Sequence, residues 1–147
     1  MNKKLITQTF YNQLFTFFIK NGKKAVAKKL ISRSLLSLGL QLNELFSVLL
    51  KKFILTLNVF IEIKTIRLKK NSTVVPFPIS SNRRLYLIIK WLSSVIKNNK
   101  KRVSLSSKLL SEFSATILNL PSSETIQIKA AHIKKVTENK SNIHYRW

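Results

Sequence analysis

Apolar residues recur at helical spacing along most of this chain, and only one stretch near the middle changes to a dense run of β-branched residues. From Leu5 to Lys20, Phe10, Leu14, Phe17 and Phe18 fall at intervals that build one face of a helix, and Asn21-Gly22 then supplies a left-handed stop. A second helix is predicted from Lys23 to Leu38, with Ala27, Leu30, Ile31 and Leu38 inward, until Gly39 interrupts it. Leu42, Leu45, Phe46, Leu49 and Leu50 carry a third helix to about Leu55. Its wide apolar face predicts a central position.

Around Asn58 the texture changes. Val59 to Arg67 and Thr73 to Pro78 read as two strands, with Lys69 to Ser72 as a polar turn between them, giving a β-hairpin at about residues 58–79. Pro76 and Pro78 are two apart, so their missing N–H groups fall on one edge of the strand, which a two-stranded ribbon tolerates. Ser81 or Asn82 is the candidate cap of a fourth helix, with the stripe Leu85, Ile88, Ile89, Leu92 and Ile96. After the basic loop 98–102, Ser104 is the candidate cap of a fifth helix, with the stripe Leu105, Leu109, Phe113, Ile117 and Leu120. Pro121-Ser122-Ser123-Glu124 restarts the chain in a last helix to about Asn139, with Ile126, Ala130 and Ile133 inward. The predicted fold is mainly α: a bundle of about six helices with a protruding two-stranded β-ribbon between the third and fourth. At 147 residues, a single domain over 1–147 is the expectation.

Charge adds what periodicity does not show. Lys and Arg number 27 against five acids, a net charge of +22, which calls for a polyanionic partner. The acids are Glu44, Glu62, Glu112, Glu124 and Glu138, spread singly and with no Asp, which leaves no carboxylate pair close in sequence for acid–base chemistry. With no Cys and only His132 and His144, neither a zinc spacing nor a thiol nucleophile is available, and the many serines lack a paired His and carboxylate. We therefore expect no enzyme activity and no cofactor. Phe, Tyr, Ile, Asn and Lys, with A+T-rich codons, sum to 61 residues against 16 for Gly, Ala, Arg and Pro, a skew that suggests an organellar genome. The N-terminus reads poorly as a signal or transit peptide, and the longest uncharged run, Leu5 to Ile19, is too short to span a bilayer, so no membrane partner is expected.

Arg83, Lys90 and Lys97 repeat every seven residues, about 10.5 Å apart along a helix, a spacing that reaches neighbouring phosphates of folded RNA. A solvated helix face is the plain alternative, and it is weakened because almost no acid is interleaved. Lys20, Lys23, Lys24, Lys28 and Lys29 gather around a helix start, where free backbone N–H groups also favour phosphate. Arg67, Lys69 and Lys70 on the ribbon, Arg84 beside Arg83, Lys101 and Arg102 in the basic loop, and terminal His144 and Arg146 complete the candidate RNA-binding set. Trp91 reads as packing and His132 as a surface or boundary histidine.

Val75-Pro76, Arg83-Arg84, Leu85, Lys90-Trp91 and His144-Tyr145-Arg146-Trp147, in that order, resemble the ribosomal protein S-seven family, the seventh protein of the small subunit. Asn21-Gly22-Lys23-Lys24 and the helix with Ser104-Leu105, Lys108-Leu109 and Glu112 fit the same pattern. The resemblance covers roughly residues 10–147, with 40–59 matching only in apolar pattern. It implies a helical domain with a β-ribbon that binds the 3′ major domain of small-subunit ribosomal RNA and initiates assembly of the subunit head. It also implies neighbouring head proteins as partners, with the ribbon near the messenger RNA and exit-site transfer RNA. The family's usual Gly-Gly at the ribbon tip is Lys69-Lys70 here, and no family role carries over to His132. The longer basic N-terminal arm and the C-terminal extension of many bacterial members have no counterpart in these residues. Divergence together with the A+T skew favours a mitochondrial, organelle-encoded member over a plastid one. Two other readings share the composition: a DNA-binding architectural protein, and a basic peripheral membrane protein anchored by Leu5 to Lys20.

Overall fold

The computed structural model describes residues 3–68, 71–100 and 102–145. In chain order the elements are α1 (Lys3–Phe17), α2 (Lys24–Leu42), α3 (Phe46–Leu57), β1 (Ile61–Leu68), β2 (Asn71–Pro78), α4 (Ser81–Asn98), α5 (Leu105–Ile117) and α6 (Glu124–Glu138), followed by a 3₁₀ segment, Lys140–Tyr145. The expected bundle with a hairpin between its third and fourth helices is what forms.

The core lies where the apolar stripes meet. Phe10 and Leu14 of α1, Ile31, Leu35 and Leu38 of α2, Leu49, Leu50 and Phe53 of α3, Ile88, Ile89 and Leu92 of α4, and Leu109 and Phe113 of α5 are all buried. Phe53 stands in the middle, its ring centroid 6.0 Å from Phe10 and 4.5 Å from Phe113, the latter edge-on. α3 is therefore central, as its wide apolar face predicts.

Several boundaries differ from the sequence expectation, each for a local reason. α1 ends at Phe17 and not Lys20; the chain then turns with Asn21 at φ 50° and Gly22 at φ 72°, the left-handed stop expected there. Gly39 does not interrupt α2. The helix runs on to Leu42 and stops at Asn43, in the left-handed region, where the N–H groups of Asn43 and Glu44 both donate to the Gly39 carbonyl. A Cβ at Gly39 would lie 3.3 Å from the Glu44 carbonyl oxygen, so the glycine serves the close return of the chain. α3 consequently begins at Phe46, and Leu45 is 76% exposed at its entrance.

The fourth helix is preceded by Ser80, so neither Ser81 nor Asn82 is its cap. Ser104 and Ser123 do cap α5 and α6, their hydroxyls accepting from the Ser107 and Ile126 N–H groups. α5 ends before Leu120, which is exposed. In α6, Ile126 packs against the core but Ala130 and Ile133 face outward, because this helix lies along the edge of the bundle with only its start, at Thr125, buried.

β1 and β2 pair antiparallel from Ile61 opposite Pro78 to Leu68 opposite Asn71. Asn71 and Ser72 thus belong to the second strand and not to the turn expected over 69–72, of which residues 69 and 70 lie outside the described residues. Val75 is fully buried, whereas Arg67 and Ser72 toward the tip are exposed.

Candidate nucleic-acid interface

α4 divides cleanly into two faces. Leu85, Ile88, Ile89, Leu92 and Ile96 are buried, and Arg83, Lys90 and Lys97 are exposed at the seven-residue interval the sequence shows. Trp91 is buried beside them, its ring 5.3 Å from that of His132, a packing role. The three cations are not equivalent. Arg83 holds the Glu62 carboxylate in a fork, Nε to Oε2 at 3.0 Å and Nη2 to Oε1 at 2.6 Å, and its guanidinium lies 4.9 Å over the Tyr86 ring. The hydrogen bond from Arg83 pulls the Glu62 carboxyl below its usual range despite partial burial, and the same bond raises the guanidinium's own pKa. Among the described residues, neither Lys90 nor Lys97 has an ion-pair partner.

A second group forms where three elements converge. Lys20 and Lys23 from the α1–α2 turn, Lys97 from the end of α4 and Lys108 of α5 surround a cleft of about 590 Å³. Phe18, Ala27, Leu30, Ile96 and Leu105 contribute its apolar lining. Lys108 Nζ donates to the Asn99 carbonyl at 2.7 Å, which ties the loop after α4 to α5. The fold thus brings Lys23 and Lys97, 74 positions apart in sequence, to one rim. Lys24, Lys28, Lys29 and Arg33 are exposed along the first turns of α2, with Lys24 5.6 Å over the Phe15 ring.

The remaining candidates scatter. Arg67 is exposed near the ribbon tip, Arg102 in the loop before α5 and His144 in the 3₁₀ segment. Arg84 is turned toward the base of the ribbon, its guanidinium 4.7 Å over Phe60 and its Nε buried. Lys69, Lys70, Lys101 and Arg146 lie outside the described residues.

Three of the five acids, by contrast, are engaged by other parts of the chain, while Glu124 and Glu138 are exposed on α6. Glu44 pairs with Lys52, and Glu62 with Arg83. Glu112 of α5 receives the Ser123 hydroxyl at 2.7 Å, the Thr125 N–H at 3.0 Å and the Thr125 hydroxyl, so it anchors the start of α6. With these carboxylates engaged, the surface field is left to the cations.

The sequence does not reveal the side chains that join the ribbon to the body. His132 of α6 lies 2.8 Å from the Ile61 carbonyl through Nε2, and Asn142 Nδ2 donates to the Val74 carbonyl at 2.9 Å. Lys129 Nζ donates to the Thr56 carbonyl at the end of α3, and burial lowers its pKa. Their partners are main-chain carbonyls, which leave no trace in residue identity. Among the described residues, no cluster of three or more His, Cys, Asp or Glu offers a metal site, and no helix is long and apolar enough to cross a membrane.

Comparison with known proteins fits this arrangement. Residues 1–140 match the family described as ribosomal protein S7p/S5e. The small ribosomal subunit protein uS7 of Wigglesworthia glossinidia brevipalpis is 27% identical over 141 residues, covering 92% of this chain and 85% of that protein. The uS7m protein of Reclinomonas americana is 27% identical over 129 residues, covering 86% and 78%, and the uS7c protein of Bigelowiella natans is 30% identical over 109 residues, covering 70% and 69%. The match over nearly the whole length, on a helical bundle with an inserted hairpin, makes the chain a member of the ribosomal protein S7p/S5e family and a structural protein of the small ribosomal subunit.

Proposed function

We propose that this member clamps folded small-subunit ribosomal RNA in its 3′ major domain, reading phosphates and shape in preference to a base code, and so initiates assembly of the subunit head. In this reading residues 1–147 act as one RNA-binding unit. The anchoring cations are Lys23, Lys24 and Lys28 at the start of α2, Lys90 and Lys97 on α4, and Lys101 and Arg102 before α5, with Arg84, His144 and Arg146 at the margin; Arg83, engaged by Glu62, stands outside this set. The ribbon, with Arg67, Lys69 and Lys70, lies beside messenger RNA and exit-site transfer RNA, and other head proteins flank the helical body.

The observation that carries the reading is the split of charge. Among the described residues, Lys23, Lys24 and Lys28 at the start of α2, Lys90 and Lys97 of α4 and Arg102 before α5 are exposed without carboxylate partners, while Glu44, Glu62 and Glu112 are engaged internally. Such a surface gains free energy from a polyanion by releasing condensed counterions, and membership of a ribosomal protein family supports ribosomal RNA as that polyanion. The A+T-leaning composition and the mitochondrial relative support a mitochondrial ribosome, with plastid and bacterial relatives also matching.

The direct test is sedimentation of a lysate of the source cells, fractionated by organelle, at high salt. Co-migration with the mitochondrial small subunit is the expected result. Migration with duplex DNA or with anionic membranes after RNase treatment would overturn it.

A further inference from the structure

The ribbon contains one acidic residue, Glu62, and the structure gives it one charged hydrogen-bonding partner, Arg83, on the first turn of α4. The pair uses the Nε and Nη2 edge of the guanidinium, the edge that a phosphate would take for a two-pronged contact. Glu62 is mostly buried, with its side chain 13% exposed, whereas the Arg83 side chain is 46% exposed. A carboxylate held that way, with an arginine fork closing over it, is a joint between two elements.

Other contacts converge on the same joint. His132 of α6 meets the carbonyl of Ile61, the residue next to Glu62, at 2.8 Å. Arg84, next to Arg83, lies over Phe60 just before β1. On the other strand, Asn142 donates to the Val74 carbonyl. Among the described residues the ribbon is two strands wide and joins no larger sheet, so its direction relative to the bundle depends on contacts at its root. We infer that Arg83 is a positioning residue that fixes the direction of the ribbon through Glu62, and is not one of the phosphate-binding cations of α4.

This divides the seven-residue stripe by role. Lys90 and Lys97 face outward for RNA, and Arg83 faces the ribbon. Losing Arg83 should loosen the ribbon root and leave the RNA anchor on the body nearly intact.

Charge exchange separates the two roles. Full-length Arg83→Glu, Glu62→Arg and the double exchange would be compared with the unaltered chain in two measurements. One is amide hydrogen exchange of residues 61–66, 73–75 and 77 in the free protein. The other is affinity for a 3′ major domain RNA fragment. Each single reversal sets like charges face to face and should speed exchange at the ribbon root by about five- to tenfold, while the double exchange restores it to within about twofold. The double exchange should also bind RNA within about threefold of the unaltered chain, even though a glutamate then occupies position 83. Milder Arg83→Gln and Glu62→Gln variants, each expected to speed the same amides a few-fold, serve if a reversal fails to fold. Unchanged ribbon exchange in the single variants, or a double exchange that does not restore it, would overturn the inference. So would severe loss of RNA affinity in the double exchange, because it would mark Arg83 as a phosphate contact. Because exchange is read on the free protein, the joint can be judged even if the RNA fragment proves to be the wrong one.

Discussion

The helical body and the ribbon are held by different forces. In the body, Phe10, Phe53 and Phe113 pack through the centre in tilted and edge-on contacts, and apolar burial from five helices meets there. At the root of the ribbon, Val75 is fully buried, and the joints around it are polar: Arg83 to Glu62, His132 to the Ile61 carbonyl and Asn142 to the Val74 carbonyl. Apolar burial is non-directional and resists dislocation of any one contact, whereas hydrogen bonds fix direction and can be lost singly. The body is thus built to persist, and the ribbon to point.

Phe53→Ala should have the largest effect. Removing the ring between Phe10 and Phe113 is expected to lower stability by about 3–5 kcal/mol, enough to unfold much of the free protein. Denaturant titration followed by circular dichroism checks it, and a small loss would show that α3 is not the keystone of the body.

Lys90→Glu with Lys97→Glu tests the outer surface of the same body. We expect RNA affinity to fall more than tenfold and the salt slope to become shallower by roughly two, with helix content unchanged, since both side chains are exposed. Parallel binding and circular dichroism measurements separate the two effects.

Glu112→Ala probes a polar joint within the body. Ser123 and Thr125 would lose a shared acceptor at the start of α6. The expected cost is about 1–3 kcal/mol, with amide exchange faster in the first turn of α6 and unchanged in α3.

The smallest effect concerns acid and belongs to the ribbon alone. Arg83 holds the Glu62 carboxyl below its ordinary value of 4.5, so the folded state favours the ionised form. That contribution is fully present above the unfolded value and fades as pH falls through the lower, folded one. Between pH 6 and pH 3, exchange at residues 61–66, corrected for intrinsic rates, should rise before the core of α3 is affected, and Glu62→Gln should remove that early rise.

Sequence periodicity reached the body more fully than the ribbon root. The α4 stripe from Leu85 to Ile96 is buried as its three- and four-residue spacing predicts, because one face of one helix determines it. Gly39 misled because its cost within a helix is only about 1 kcal/mol, and the close return of the chain at Glu44 gives glycine a use there. Ala130 and Ile133 fit an inward spacing but lie on an edge helix with too little neighbouring surface to cover them. Arg83 shows the limit most clearly. Its seven-residue interval with Lys90 and Lys97 places it on an exposed face, yet its partner Glu62 lies 21 residues back across the hairpin, where periodicity within one helix carries no information. His132 and Asn142 were illegible for a similar reason, since each meets a main-chain carbonyl on a distant strand.

The most direct measurement of the RNA clamp is the affinity of the full chain for a 3′ major domain RNA fragment across a series of salt concentrations. A surface that displaces counterions through several cations at once requires log K to fall linearly with log salt, at roughly 0.7–0.9 per phosphate contact and a total slope of several units. A nearly flat line would contradict the electrostatic anchor.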